Sequence, residues 1–474
     1  MIEPPINQPA GVGPLTRQVT EPVTTIEYRT VDRIPESERH GRMRDLFTIW
    51  FGSNLMLLTV ATGALATAVY GLSIGPALLA LLIGNVAGGV VMALHAAQGP
   101  TMGVPQMLQS RAQFGAIGSL VVVLLVLPIY TGFFASNLVL SGASLVYVIP
   151  AIGPDAAIVI MTVLSLIVVV VGYRLIHAFS RVLTVVSGLA ILFAFVWMFG
   201  VTGLPAGALS TGSFGWVGFM STISLAALWQ IAYAPYVSDY TRYMPAATGT
   251  KPAFWGTYLG CLLGSLLPMV LGSFLGLAFP DLDTVSALAQ ATAGIATPIV
   301  VALGLGIACT NAMNLYCGSL AVLTAGNTVR PQWRPHAVSR VWAAVILGGL
   351  SCALAIAGKD DFLANYSNFL LLLMCILIPW TAVNLVDYYA IRHGNYDIDS
   401  LFAPDGGRYG RVNNNAIFCY VIGILVQVPF LSNALFTGPV AAAMHGVDIS
   451  WIVGLAVVCP LYYYMARRSV SLEN

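Results

Sequence analysis

The sequence predicts an all-α integral membrane protein of twelve transmembrane helices, and three observations carry that prediction. Of 474 residues, 58% are hydrophobic and 8% charged, where a soluble domain carries roughly 25% charge. Twelve runs reach the roughly 20 apolar residues that cross a bilayer. When the runs are laid out in alternation, 19 of the 20 Lys and Arg fall on one side.

A soluble chain this poor in charge could not cover its surface, so lipid is the solvent for most of it. The net charge of +1 and the lack of a basic patch beyond span-flanking arginines give no footing for nucleic acid. Residues 1–45 are polar and contain proline, with Arg17, Arg29, Arg33, Arg39, Arg42 and Arg44. With no apolar stretch near residue 1, no cleavable signal peptide is expected, and the segment reads as a cytoplasmic tail.

The spans fall at about 46–69, 75–97, 117–148, 156–173, 178–201, 215–238, 253–279, 294–322, 337–357, 362–389, 414–436 and 447–466. The third is long enough to tilt. Basic residues follow the tail at Arg111 between spans 2 and 3, and at Arg174 and Arg181 between 4 and 5. Arg242 and Lys251 follow between 6 and 7, then Arg330, Arg334 and Arg340 between 8 and 9. Arg392, Arg408 and Arg411 lie between 10 and 11, and Arg467 and Arg468 after 12; Lys359 alone is opposite. Basic loops stay on the cytoplasmic side. Both termini are therefore expected inside a cell (inner, cytoplasmic) membrane crossed many times. The seven cysteines all lie in apolar stretches without a C-x-x-C pair, so they read as small buried hydrophobes, not as metal ligands or disulfides.

Ionisable groups at membrane depth are costly and mark function. Here Asp239, Asp387 and His95 lie near span ends, and none falls at a midplane. An organic cation would want a carboxylate, a proton pump an acid or histidine chain, and an anion channel a ring of bases. The expected cargo is neutral, held by amides, hydroxyls, aromatics and backbone.

The deep polar residues are Gly52-Ser53-Asn54 in span 1, Pro128 to Asn137 in span 3, Trp229 to Pro235 in span 6, and Cys309 to Asn314 in span 8. Pro235 removes a backbone hydrogen bond, and Gly52 and Ser53 weaken span 1 at comparable depth. Interrupted helices at matching places in two halves point to a transporter site. The offsets, about 170 residues from span 1 to 6 and about 177 from 3 to 8, fit two five-helix repeats with two helices to follow. The expected division is a tail at 1–45, repeats at 46–201 and 202–389, a loop and two helices at 390–466, and a tail at 467–474.

Four segments resemble the purine–cytosine permease branch of the nucleobase:cation symporter-1 family. They are Ile34-Pro35-Glu36-Ser37-Glu38-Arg39-His40-Gly41-Arg42 running into Trp50-Phe51-Gly52-Ser53-Asn54, and Gly99-Pro100-Thr101-Met102-Gly103-Val104-Pro105-Gln106 with Gln109-Ser110-Arg111. The others are Ala234-Pro235-Tyr236-Val237-Ser238-Asp239-Tyr240-Thr241-Arg242-Tyr243 and Thr310-Asn311-Ala312-Met313-Asn314-Leu315-Tyr316. The resemblance implies two inverted five-helix repeats with broken helices 1 and 6, plus two C-terminal helices. It also implies alternating access and symport of a nucleobase-like ring with Na⁺ or H⁺.

Carried onto this chain, the resemblance gives Phe133 and Trp229 as stacking walls and Gln230, Asn311 and Asn314 as edge readers, joined by Tyr130 and Asn54. These types suit a neutral heteroaromatic ring, because aromatic walls match its faces and amides match its mixed edge. Each also has a structural alternative. The aromatics can face lipid or a neighbouring helix, Asn311 and Asn314 can pair between helices, and Gln230 can satisfy the carbonyl freed by Pro235. Asp239 and Arg242 read as a structural pair or a cytoplasmic gate. Where similar bacterial cytosine carriers have Gln and then Trp in helix 3, this chain has Tyr130 and Phe133. A purine, hydantoin, allantoin or a vitamin is therefore open beside cytosine.

The resemblance places the cation at the carbonyls of Gly52 and Met56 with Thr310, beside Cys309, whose sulfur is a poor ligand for a hard ion. Na⁺ and H⁺ both stay open. No other cofactor and no obligate protein partner are implied. An intramembrane enzyme would need a nucleophile or metal cluster at depth, and none is present. A receptor would need a longer signalling domain, and an amino-acid carrier of this fold would need partners for two charges.

Overall fold

The computed structural model describes residues 31–171, 173–360, 362–432 and 436–473, side chains excepted at 171, 173–179, 363, 364, 367, 368, 371, 372 and 469–473. Residues 1–30 of the expected tail, with Arg17 and Arg29, and the Arg174 side chain lie outside that set.

The first expected span is two helices, α1 (Met43–Asn54) and α2 (Leu57–Ala64), the latter continued by a π-helical turn at Leu65–Val69. They meet at 62°. The break falls at Leu55–Met56, one turn beyond the expected weak point, and Gly52 and Ser53 are helical. The reason is local. Asn54 Nδ2 and Ser53 Oγ both donate to the Trp50 carbonyl, at 2.8 and 3.1 Å, so side chains compete for an acceptor the helix would use. Gly52 serves packing instead, since an added Cβ would run into Thr184.

Then come α3 (Ile74–Ala96), α4 (Gln98–Met102), α5 (Gln106–Phe114), α6 (Ser119–Val148), α7 (Pro154–Val171) and α8 (Tyr173–Trp197). The sixth span is α9 (Trp216–Ile231) and α10 (Ala234–Thr241). The interruption falls at Ala232–Tyr233, just before Pro235. Pro235 sits in the first turn of α10, where no intrahelical donor is needed. The two pieces stay close to one line and count as a single 26-residue span.

The rest comprises α11 (Thr250–Ala278), α12 (Thr284–Ala291), α13 (Ala296–Val329), α14 (Ala337–Gly358), α15 (Phe362–Val386), α16 (Asn414–Gln427), α17 (Pro439–Ala443) and α18 (Ser450–Glu473). Among the described residues, eight helices are long and apolar enough to cross a membrane, nine with the bent pair counted as one span. Two shorter apolar helices occupy 154–170 and 414–430. The protein is an all-α membrane protein.

Four helices, α4, α5, α12 and α17, lie outside the expected spans. α5 is buried along its whole length yet polar, and neighbours meet many of its groups, though not Gln106 Oε1 or Arg111 Nε. Its first N–H donates to Asp239 (2.8 Å), and Arg111 reaches the Leu401 carbonyl (2.8 Å). α12 is started by Asp283, whose carboxylate accepts from Val285 N (2.9 Å) and Ser286 N (3.2 Å), an N-cap.

α1 and α2 pack on α11, α9 and α10 pack on α3, and α6 packs along α13. α8 touches α1 and α13, while α15 touches α9 and α6. Small residues let backbones close in: a Cβ at Gly63 or Gly272 would meet the backbone of Met269 or Val60. Large apolar side chains such as Leu124, Ile167, Val185 and Ile346 are exposed on the outer helix faces, as a lipid-facing surface requires.

One end of the bundle gathers arginines. There the segment before α1 straps across two loops. Ile34 N donates to Gly103 O (2.9 Å), Arg39 Nη1 to Pro100 O (2.6 Å) and His40 N to Tyr243 O (2.9 Å). Burial pulls the Arg39 guanidinium pKa down from its ordinary value, against the Glu36 charge. At the other end Lys359 pairs with Asp155 at 3.1 Å.

Candidate binding site at the helix breaks

A small buried cavity lies where the α1–α2 and α9–α10 breaks face α6 and α13. Its lining is Met56, Phe133, Asn137, Trp229, Ala232, Tyr233, Tyr236, Thr310 and Asn314. No carboxylate, amine, guanidine or imidazole is among them. The free space is about 10 Å³, measured at the centre of a water-sized sphere, which is room for about one water.

The walls are aromatic. Phe133 meets Trp229 edge-on, with centroids 6.0 Å apart and planes at 86°. Tyr233 continues the wall at 6.2 Å from Trp229, and Tyr236 lies 6.0 Å from Tyr233. Phe133 also abuts Phe369 of α15 at 5.2 Å. The two expected stacking residues therefore touch each other in the cavity wall.

Of the expected site residues, Phe133, Trp229, Asn314, Met56 and Thr310 reach the cavity. The others form its frame. Asn54, the last residue of α1, accepts from Trp229 Nε1, Tyr233 Oη and Ser265 Oγ, each at 2.9 Å. Gln230 points away, to Asn85 Oδ1 (2.7 Å), Ser265 Oγ (3.2 Å) and the Cys261 carbonyl (3.3 Å). Those partners tie α9 to α3 and α11; the carbonyl before Pro235 is not one of them. Tyr130 donates to the Pro235 carbonyl at 3.2 Å and packs edge-on to Tyr236 at 4.7 Å. Asn311 donates to the Phe134 carbonyl at 3.5 Å.

Asn137 was named among the deep polar residues but not given a role. It lies one helical turn after Phe133, lines the cavity and is 0% exposed. Neither its Oδ1 nor its Nδ2 has a hydrogen-bond partner, a costly arrangement for a buried amide. Its spacing of four from Phe133 places both on one face of α6, a signal present in the sequence. Ala232, Tyr233 and Tyr236, all near Pro235, are the other lining residues not expected.

At the α1 break, Thr310 Oγ1 donates to the Ser53 carbonyl at 2.6 Å. The Gly52 carbonyl accepts from Leu55 N (3.2 Å) and that of Met56 from Val60 N (3.3 Å). Cys309 turns toward α8, with Sγ 2.9 Å from Ser180 Oγ. Among the described residues, no group of three or more His, Cys, Asp or Glu is placed to hold a metal ion.

A multi-span helical fold with an uncharged, aromatic-walled cavity at helix breaks defines a membrane transporter. The model of the family "Permease for cytosine/purines, uracil, thiamine, allantoin" matches residues 33–454. The chain belongs to that family, in the purine–cytosine permease branch of the nucleobase:cation symporters. It is 36% identical over 446 residues, 93% of its length and 96% of the relative's, to a Bacillus subtilis (strain 168) protein provisionally named purine-cytosine permease YxlA. The purine-cytosine permease fcyB of Emericella nidulans is 24% identical over 474 residues, covering 94% of this chain and 89% of its own. In fold the chain is similar to Mhp1, a nucleobase-cation-symport-1 family transporter solved in a closed conformation with bromovinylhydantoin bound. That likeness has a TM-score of 0.76 at 16% identity, over 94% of this chain and 96% of the other.

Proposed function

We propose that the protein is a secondary active transporter importing a neutral nucleobase-like heterocycle, a purine, cytosine or a related ring, by cation symport through alternating access. The observation that carries this is the unpaired Asn137 amide in an aromatic, uncharged cavity. An amide offers both a donor and an acceptor and matches a lactam or, turned over, an amidine edge. The purine–cytosine permeases among its relatives take the same direction. The same edge suits hydantoin or allantoin, which is the second reading, and the hydantoin bound by the fold neighbour favours keeping it. An amino acid or thiamine fits less well, because the lining has no charge to pair with theirs.

In this reading Phe133 and Trp229 cover the ring faces, and Asn137 and Asn314 read its edge. Asn54, Gln230, Tyr130 and Asn311 hold the walls. The ring does not fit the space available, so a wall must move. Trp229 and Tyr233 are tethered through Asn54, whereas Phe133 has only ring contacts, which makes Phe133 the wall that yields. The coupling ion, Na⁺ or H⁺, acts at Ser53, Gly52, Met56 and Thr310. Twelve spans in two inverted repeats at 46–201 and 202–389 are supported by exchange symmetry in the packing. Span 1 on span 7 (α1 and α2 on α11) mirrors span 6 on span 2 (α9 and α10 on α3), and span 5 on span 8 (α8 on α13) mirrors span 10 on span 3 (α15 on α6). The arginine-rich end, with both tails, is the cytoplasmic one under the positive-inside rule.

The test is thermal stabilisation of purified protein by purines, cytosine, hydantoin and allantoin with and without Na⁺, beside uptake into proteoliposomes. A ligand at a hundredfold its Kd adds about 2.7 kcal/mol. A panel in which no ring stabilises the protein or is taken up saturably overturns the reading.

A further inference from the structure

The orientation of the Asn314 amide is set by a chain of hydrogen bonds that begins at a backbone carbonyl. The Phe134 carbonyl on α6 can only accept, so Asn311 turns its Nδ2 toward it, at 3.5 Å. That leaves Asn311 Oδ1 facing Asn314, which answers with its own Nδ2 at 3.4 Å. Asn314 Oδ1 then faces Tyr236, whose hydroxyl donates to it at 2.9 Å. The first two links are long and the last is short, so Tyr236 supplies the firm end of the chain. Its ring is held in turn by Tyr130, edge-on at 4.7 Å.

We propose that Tyr236 is a specificity-determining positioning residue, which holds Asn314 with its NH₂ toward the cavity and so requires a hydrogen-bond acceptor on the bound ring. This rests on the proposed reading of the cavity as a heterocycle site. Asn314 Nδ2 carries two hydrogens, one directed at Asn311 and one left for the cavity that Asn314 lines. Asn137, with both polar atoms unpaired, turns over freely and accepts a lactam or an amidine edge alike. Turning Asn314 would give up the hydrogen bond from Tyr236, its one donor among the described residues, and set Oδ1 against Asn311 Oδ1, acceptor against acceptor. The two amides therefore do different work. Asn137 is tolerant, and Asn314 demands a ring nitrogen or oxo group. A carbon in that place leaves the NH₂ unpaired in a dry site, and discrimination arises from such a loss.

The experiment compares binding of a purine with its deaza analogues, each replacing one ring nitrogen by CH, in wild type, Tyr236→Phe and Asn311→Ala. Stabilisation midpoints and competition for uptake are read in all three. In wild type, one deaza replacement weakens binding on the order of tenfold to a hundredfold. In Tyr236→Phe the Asn314 amide is released, and the penalty for that same replacement shrinks several-fold relative to the parent ring. Asn311→Ala releases the chain from its other end and shrinks the same penalty, which covers the case in which the Tyr236 variant fails to fold. A purely packing role for Tyr236 weakens all rings equally and leaves the ratio between parent and deaza ligand where it was, which overturns the proposal. No deaza penalty in wild type overturns it as well. Failure of every ring to bind wild type sinks the heterocycle reading itself, and is told apart because no ratio is then measurable.

Discussion

Trp229 Nε1, on α9, donates to Asn54 Oδ1 at the end of α1, 2.9 Å away across the meeting point of the two broken spans. The same oxygen takes the Tyr233 hydroxyl at 2.9 Å. One amide thus sets two aromatic walls of the cavity. Asn54→Ala leaves Tyr233 Oη without this acceptor in a buried site, and an orphaned buried donor costs about 1–3 kcal/mol. The expected outcome is a lower thermal midpoint together with weaker ring binding. An unchanged midpoint in detergent-solubilised protein counts against the tether.

Asn137→Ala separates binding from folding. Because the amide has no hydrogen-bond partner within the protein, its removal costs the fold little and leaves the midpoint equal or higher. Binding should fall by about 1–3 kcal/mol. Parallel midpoint and titration measurements check this, and a folding loss as large as the binding loss contradicts the edge-reading role.

Cys309→Ser places an oxygen next to Thr310 in sequence, on the side of α13 that faces Ser180 of α8. Hard cations prefer oxygen to sulfur, so the variant should respond more strongly to Na⁺ than wild type does. The readout is the midpoint in sodium chloride against choline chloride, with and without ring ligand. An equal response in both proteins places the ion elsewhere.

Asp397 anchors the loop between α15 and α16. The Ser400 hydroxyl, at 2.6 Å, holds its carboxyl below the usual carboxylate range. A folded pKa below the unfolded one gives stability that is present above the unfolded value and lost as pH falls through the folded value. The midpoint difference between wild type and Asp397→Asn should therefore persist at neutral pH and vanish only below the ordinary carboxylate range. A difference that is already gone near neutrality refutes the anchoring.

Several features were legible in the chain. Hydropathy located the apolar helices, because burial in lipid depends on the summed character of about 20 residues and not on which neighbours they meet. The break in span 1 was visible to within a turn. Its position at Leu55–Met56 was not, because Asn54 and Ser53 capture the Trp50 carbonyl by side-chain geometry. α5 was invisible for a related reason. Gln106, Gln109, Ser110 and Arg111 look solvated. Gln109 finds its partners nearby in Gln106 and Val104, but the Gln106 N–H, Ser110 and Arg111 meet groups more than a hundred residues away at Asp239, Trp380 and Leu401.

The site divides in the same way. Phe133, Trp229 and Asn314 could be named from residue type and family likeness, and they reach the cavity. Gln230 and Asn137 are both amides deep in a span, and nothing in composition tells them apart. Gln230 donates through Nε2 to Asn85, Ser265 and Cys261 on two other helices and leaves its Oε1 unpaired, while neither polar atom of Asn137, which lines the cavity, has a partner.

The sequence by itself determined that this protein crosses a membrane many times and that its apolar spans carry almost no charge at mid-depth. These follow from additive transfer energies. Which polar groups are used up by the fold, and which remain to bind, only the tertiary structure decided, because a hydrogen bond is satisfied between helices that the chain brings together from far apart.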